Sequence, residues 1–274
     1  MESCSIIKSI SQDRRIRLII ADLSEITDKI NSIHVVEGKN RSLLEQTAIG
    51  TVLLGCDLKN DGTNVSAVLR SDDGSMSAVV IYDFAGGIRG YFRTQRAEQG
   101  FDSLNGAGSL TVMCDDGRVG LYTSTIPLSS ASMQESLEIY LKDSMQHEGI
   151  LHLSDEMAFG VLISPVLNDE ISYVIDRKDE FKLLLGKLEA QIKTGDVYSL
   201  LKEHGFDVLD ENHPYWTCTC SKEAMENVIR SVGRAEALSI IEEMGKVEVS
   251  CPYCKKAYSF DINDIDELFS DKTI

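Results

Sequence analysis

Four cysteines stand close together near the end of the chain, as Cys218-Thr219-Cys220 and Cys251-Pro252-Tyr253-Cys254, with thirty residues between the pairs. Two close pairs at this separation suit a tetrahedral thiolate zinc site, because each pair supplies one edge of the tetrahedron and the segment between them folds back to join the edges. Pro252 fixes one backbone angle of a short knuckle, and the single residue between Cys218 and Cys220 puts both sulfurs on one side of an extended strand. Two chemistries fit the four thiolates. A closed site is a permanent structural staple in most proteins. The same sulfurs also make a redox switch, since an oxidant converts them to disulfides, the metal leaves and the fold that depended on it is lost.

The residues around the cysteines must build a scaffold for them. Ser221 to Val232 and Arg234 to Met244 read as two short helices, with apolar stripes at Ala224, Val228 and Val232 and at Leu238, Ile241 and Met244. Lys246 to Ser250 and Lys256 to Phe260 alternate as a hairpin around the knuckle, and Ile262 to Phe269 closes the chain as a helix. About sixty residues with so few large apolar side chains are marginally stable without a metal.

The preceding sequence supplies a larger core. Asp61-Gly62, Asp73-Gly74, Gly86-Gly87 and Asp116-Gly117 punctuate strand-like runs such as Ser75 to Tyr82 and Ile88 to Arg93, the pattern of antiparallel hairpins. Ser42 to Cys56 reads as an apolar helix, and Ser132 to Met145 as another with Met133, Leu137, Tyr140, Leu141 and Met145 on one stripe. Between Asp176 and Leu209 the pattern turns helical and charged, with Phe181, Leu184, Leu185, Leu188 and Ile192 on one face and Val197, Leu200 and Leu201 on another. The expectation is an α+β fold: an antiparallel sheet core with packed helices over residues 1–175, a helical linker over 176–214 and a small four-cysteine zinc-binding module over 215–274.

Composition narrows the function. The formal net charge is −17, and residues 216–274 carry eleven acidic against seven basic side chains. A zinc module that grips phosphates is basic, so nucleic-acid binding ranks low. The longest apolar runs, Leu18 to Ala21 and Thr51 to Leu54, fall far short of the roughly 20 residues that span a bilayer. Met1-Glu-Ser-Cys-Ser lacks the order of a secretory signal, which places the chain in the reducing cytoplasm with its thiols reduced. No phosphate loop is present, and Phe84 to Gly90 offers its glycines in a hairpin instead of at a helix start. Gly106-Ala-Gly-Ser-Leu110 has its serine in the wrong place for a nucleophile elbow, so an enzyme is not expected. A dithiol oxidoreductase built on Cys251 and Cys254 would leave the other pair unexplained.

Cys4, Cys56 and Cys114 lie outside the motif and read as bystanders, Cys56 and Cys114 as small hydrophobes and Cys4 as a terminal thiol open to incidental oxidation. His147 and His152 read as isolated surface histidines, and Asp13-Arg-Arg-Ile-Arg17 as a solvated strand edge.

Trp216-Thr-Cys-Thr-Cys-Ser221 followed by Cys251-Pro-Tyr-Cys254 resembles the C-terminal motif of the heat shock protein 33 family, whose members are redox-regulated holdase chaperones. The likeness extends to Gly245 to Ser250, Tyr258 to Phe260, Arg17 to Leu23, the Leu43 to Leu54 helix, Gly87 to Tyr91 and Asn105 to Ser109. Two family patterns are altered at their middle positions, to Ser144-Met145-Gln146 and to Ala158-Phe159-Gly160 where an alanine precedes two glycines in the family. The resemblance implies that Cys218, Cys220, Cys251 and Cys254 hold zinc and form redox-active disulfides within each pair. It also implies that the linker then unfolds, that the chain forms a homodimer when activated, and that it holds unfolding client proteins without ATP. The alternative is an interaction or nucleic-acid-binding adaptor with a permanent zinc.

Overall fold

A computed structural model describes residues 4–58, 63–95, 107–115, 120–129, 132–146, 149–167, 171–192 and 195–270. The turns expected at Asp61-Gly62 and Asp116-Gly117, the first part of the Asn105 to Ser109 run and His147 lie outside the described residues. The chain divides into two compact units, Met1–Trp216 and Thr217–Ile274. It has an α+β architecture of helices and sheets that are antiparallel except for the short parallel pairing of Tyr215–Trp216 with Gly87 and Ile88, as expected from the hairpin turns and helical stripes.

The first unit begins with β1 (Ser5–Ser11), β2 (Ile16–Asp22), α1 (Ser24–His34) and α2 (Gly38–Asp57). The strands β3 (Asn64–Ser71), β4 (Met76–Tyr82), β5 (Gly87–Thr94), β6 (Gly108–Asp115) and β7 (Leu121–Pro127) follow, with β6 crossing back over the sheet to pair with β3 instead of β5, and then come α3 (Met133–Asp143), β8 (Ile150–Leu153) and β9 (Phe159–Pro165). The unit closes with α4 (Ile171–Asp176), α5 (Lys178–Ile192), α6 (Val197–Glu203), β10 (Phe206–Asn212) and β11 (Tyr215–Trp216). One sheet has the order β10-β1-β2-β9-β8 and the other β11-β5-β4-β3-β6-β7.

Helix α2 explains how the sheets share a core. It packs against β2 and β9 of one sheet and against β3, β4 and β5 of the other. Leu43, Leu44, Ile49, Val52 and Leu53 are all buried around its circumference, which is the pattern of a helix with no solvent face. Its threonines are satisfied within the helix, with Thr47 and Thr51 hydroxyls donating 2.7 Å bonds to the carbonyls of Leu43 and Thr47. A Cβ at Gly50 would lie 2.4 Å from Leu137 Cδ1, so only glycine admits α3 this close.

The other face of the five-stranded sheet carries α4 to α6. Phe181, Leu184, Leu185, Leu188, Val197, Leu200 and Leu201 form one buried cluster with Ile7, Leu18, Ile20, Val161 and Ile163. The two faces expected for these helices thus both turn inward. The segment read as helical up to Leu209 ends earlier: α6 stops at Glu203, the chain turns through Gly205 at φ +73°, and β10 pairs with β1. Its alternation was hidden because only Phe206 of β10 is buried, as befits an edge strand in solvent.

The Asp13 to Arg17 run is not a strand edge. Asp13 lies in the β1–β2 turn, where Asp13 Oδ2 accepts from Tyr173 Oη at 2.7 Å and the Arg15 guanidinium lies 3.7 Å from the Tyr173 ring centroid. Arg17 lies in β2, the middle strand of its sheet, and pairs with buried Asp57 at 2.9 Å. A partner forty residues away is invisible to local pattern.

Candidate metal centre

The second unit contains α7 (Lys222–Val232), α8 (Arg234–Met244), β12 (Val247–Ser250), β13 (Ala257–Phe260) and α9 (Ile262–Phe269). Each boundary has a local cause. Ser221 caps α7 by accepting from the Ala224 amide at 3.1 Å. Gly233 at φ +96° separates α7 from α8. Asp261 opens α9 in a reciprocal capping box with Asp264. A core of Met225, Ile229, Ala237, Val247, Tyr258, Phe260 and Ile265 holds these elements together.

That core corrects the expected stripes. The buried side chains of α7 are Met225 and Ile229, while Val228 and Val232 are 44% and 52% exposed. Apolar residues occupy two adjacent faces of this helix, and the one bearing the longer side chains reaches Phe260 and Ile265. On α8 the buried residue is Ala237; Leu238 and Ile241 are partly covered, and Met244 is 75% exposed in the last turn of a unit too small to shield it.

The hairpin β12–β13 places the second cysteine pair at its tip, with Val247 to Ser250 in register against Phe260 to Ala257. The knuckle is closed by Cys251 N–H donating to Lys256 O at 2.9 Å and Lys255 N–H donating to Cys251 O at 3.0 Å. Lys255 adopts φ +60°, the left-handed conformation that lets the chain reverse so tightly. The first pair lies in irregular chain before α7.

The four sulfurs converge, and all of them lie within 4.8 Å of one another. Cys218 Sγ is 3.6 Å from Cys251 Sγ, and Cys220 Sγ is 3.5 Å from Cys254 Sγ. With a zinc–sulfur bond of 2.3 Å a regular tetrahedron has sulfur–sulfur edges of about 3.8 Å. The donor set therefore fits one tetrahedral ion that prefers thiolates. Cys251 is 1% exposed, and the other three are partly open to solvent.

The surroundings divide the thiols. The Tyr258 hydroxyl is 3.1 Å from Cys220 Sγ and 3.1 Å from the Cys220 carbonyl oxygen. This contact pulls the Cys220 thiol down to about 7 and pushes the Tyr258 hydroxyl up to about 12. Burial pushes Cys218 up to about 12 and also raises Cys254. One sulfur is thus ready to ionise near neutrality, and a cation must draw the protons from its raised neighbours. The sequence marks Tyr258 as a strand residue within the family likeness and gives it no role at the sulfurs.

The bystander cysteines differ from these. Cys4 is 5% exposed within the main core instead of being an open terminal thiol, and Cys56 is 8% exposed beside the Tyr82 hydroxyl. Burial raises the pKa of Cys4, Cys56 and Cys114 alike, which suppresses thiolate and hence reactivity. His152 is not isolated: its Nε2 meets Glu189 Oε2 at 2.8 Å, joining β8 to α5.

An α+β unit joined to a compact four-cysteine module defines the class of protein. The Hsp33 protein family model matches residues 5–261, and the chain belongs to the Hsp33 family. It is 27% identical to the 33 kDa chaperonin of Streptococcus pneumoniae strain JJA, over 98% of this chain and 99% of that one. It is 25% identical to the 33 kDa chaperonin of Desulforamulus reducens, over 96% of each. The crystal structure of the 33 kDa chaperonin from Thermotoga maritima superposes with a TM-score of 0.80 over 97% of both chains at 19% identity, a likeness of fold.

The altered glycine pair has a structural answer. Phe159 is 1% exposed and belongs to the cluster that holds Phe181, Leu184 and Leu188. Gly160 points the other way, where a Cβ would lie 2.4 Å from Ile49 and 2.9 Å from the His152 carbonyl. The strand keeps glycine on the α2 face and places a large side chain on the α5 face.

Proposed function

We propose that this chain is an ATP-independent holdase chaperone switched on by oxidation, with Cys218, Cys220, Cys251 and Cys254 holding zinc in the resting state. The convergence of the four sulfurs within 4.8 Å carries this reading, and family membership and the chaperonin names of the relatives support it. Bound zinc keeps the sulfurs as thiolates and cross-links the two ends of the module.

Oxidation acts on the sulfurs. Within a pair, two thiolates lose two electrons and form one S–S bond, while a peroxide gains them with two protons and leaves as two waters. A disulfide sulfur offers no anionic lone pair to a cation, so the donor set is dismantled and a core of seven buried apolar side chains stands alone. We assign residues 176–214 as the linker that responds. Only His213 to Thr217 separate the end of β10 from Cys218. Release of α5 and α6 would uncover Phe181, Leu184, Leu188 and Leu201 together with the sheet face beneath, a surface suited to unfolding clients. Dimerisation and a cytoplasmic location belong to the same reading. No described helix is long and apolar enough to cross a membrane.

The test follows zinc release, free thiols and suppression of a client's aggregation while peroxide is added to the reduced, zinc-loaded protein at raised temperature. The three change together if the reading holds. An adaptor keeps its metal or gains no client protection, and either result overturns it.

A further inference from the structure

A cleft of about 1050 Å³ opens in the first unit between one end of β3 to β5 and the connection from α1 to α2. That volume suits a small-molecule ligand. One wall is set by strand register. Arg70 pairs with Ser77 across β3 and β4, and Ser77 pairs with Arg93 across β4 and β5. Residues paired in this way project from the same face of a sheet. Two guanidiniums therefore flank one hydroxyl, on strands about 10 Å apart. Tyr91 lies on the same face two residues before Arg93, and the Arg93 guanidinium is 5.3 Å from its ring centroid.

The other wall carries His34, Val35 and Glu37. The His34 ring stands 6.3 Å from the Tyr91 ring, tilted by 44°. Val35 is 78% exposed at φ +53°, a left-handed conformation that β-branched residues rarely adopt and that gathers at ligand sites. Glu37 precedes α2, and its carboxylate caps no amide of the helix.

The charges on the strand wall are uncommitted. The chain has 44 acidic against 27 basic side chains, and Arg17, Arg41, Arg177 and Arg234 each pair with a carboxylate. Arg70 and Arg93 pair with none among the described residues. In so acidic a chain, two unneutralised arginines facing one cleft suit an anion from outside. Donor count narrows that anion. Two guanidinium forks and the Ser77 hydroxyl offer about five donors, more than the roughly four acceptor sites of a carboxylate. A diphosphate accepts them all. The Tyr91 and His34 rings suit a flat ring. Glu37 accepts from N–H groups on that ring's edge and repels any phosphate placed there.

We propose that this cleft binds a nucleoside diphosphate, with the phosphates on Arg70, Ser77 and Arg93, the base against Tyr91 and His34, and its N–H groups on Glu37. These groups supply binding, without turnover. The site is independent of the thiolates, so it stands or falls apart from the redox reading.

The experiment titrates the reduced, metal-loaded full chain with guanosine 5′-diphosphate, whose base presents adjacent N–H donors, and reads binding by calorimetry in about 0.15 M salt. One diphosphate binds per chain, and amide exchange slows in Met76–Tyr82 and Gly87–Thr94. Guanosine alone and inorganic pyrophosphate alone each bind at least about tenfold more weakly. Arg70→Gln and Arg93→Gln each weaken the diphosphate at least about tenfold, whereas Lys202→Gln, the same charge change on α6, leaves it unaltered. Glu37→Gln weakens the diphosphate and does not weaken pyrophosphate. Zinc content is the same throughout, and the exchange pattern of the wild type serves even if an arginine variant misfolds. Absence of binding at millimolar concentration, pyrophosphate binding as tightly as the diphosphate, an equal loss in Lys202→Gln, or exchange protection confined to other elements overturns the proposal.

Discussion

Tyr258 and Cys220 come from opposite ends of the second unit's sequence and meet at 3.1 Å between Oη and Sγ. The tyrosine sits on β13 with its ring in the small core and its hydroxyl at the sulfur cluster, so packing and ligand position are coupled through one side chain. Groups of this kind orient ligands and set their basicity. Tyr258→Phe keeps the ring and removes the hydroxyl. The expected result is a metal affinity lower by about 10–100-fold, the usual cost of losing such a partner, measured by competition with a chromophoric chelator. Unchanged affinity would show that the contact is incidental.

Metal removal discriminates between the two units. A chelator applied to the reduced protein should abolish slow amide exchange in Lys222–Val232 and Val247–Ser250 while leaving α2 and β2 protected, because only the second unit lacks a large core of its own. Cys251→Ser should do the same without a chelator. Serine at Cys4 or Cys56 should leave the zinc content at one per chain, since these thiols lie in the core of the first unit. Metal-independent protection of the second unit would reduce the cluster to an ornament on a self-sufficient fold.

How far these features were legible beforehand depended on range. Ser221, Gly233 and Asp261 mark helix ends by chemistry that acts within three residues, and the elements they bound lie where the sequence put them. The cysteine spacing likewise announced a shared site. Residues whose role depends on distant partners were opaque: Tyr258 on Cys220, Arg17 on Asp57 and His152 on Glu189 are contacts across 38, 40 and 37 positions. The choice of Met225 and Ile229 over Val228 and Val232 was lost for a related reason, because two neighbouring faces of α7 are apolar and only the arriving β13 and α9 decide between them.

Phe159 offers a handle on the segment proposed to act as a linker. It sits among Phe181, Leu184 and Leu188 at 1% exposure, so truncation leaves a void beneath α5. Phe159→Ala should cost about 3–5 kcal/mol, the range for buried phenylalanines, measured by urea unfolding of the reduced protein. If α5 docking limits exposure of the client surface, the variant should also suppress client aggregation without oxidant. Loss of stability with no gain in protection would separate the linker from client binding.

Asp13 predicts a pH dependence. Hydrogen bonds from the Ser11 and Tyr173 hydroxyls hold its carboxyl below the ordinary value, and the Tyr173 bond ties the β1–β2 turn to α4. A depressed carboxyl favours the folded state above its unfolded value of about 3.9, and the contribution disappears as pH falls through the folded value. Asp13→Asn removes the charge at every pH. The stability difference between wild type and Asp13→Asn should therefore be constant from pH 7 to about 5 and shrink below about 4, with Tyr173→Phe reducing it at neutral pH. Because the aspartate is largely open to water, the effect belongs at the small end for exposed charges. Denaturant titrations at several pH values measure it, and a difference that grows toward acid would reverse the sign and refute the role given to the Tyr173 bond.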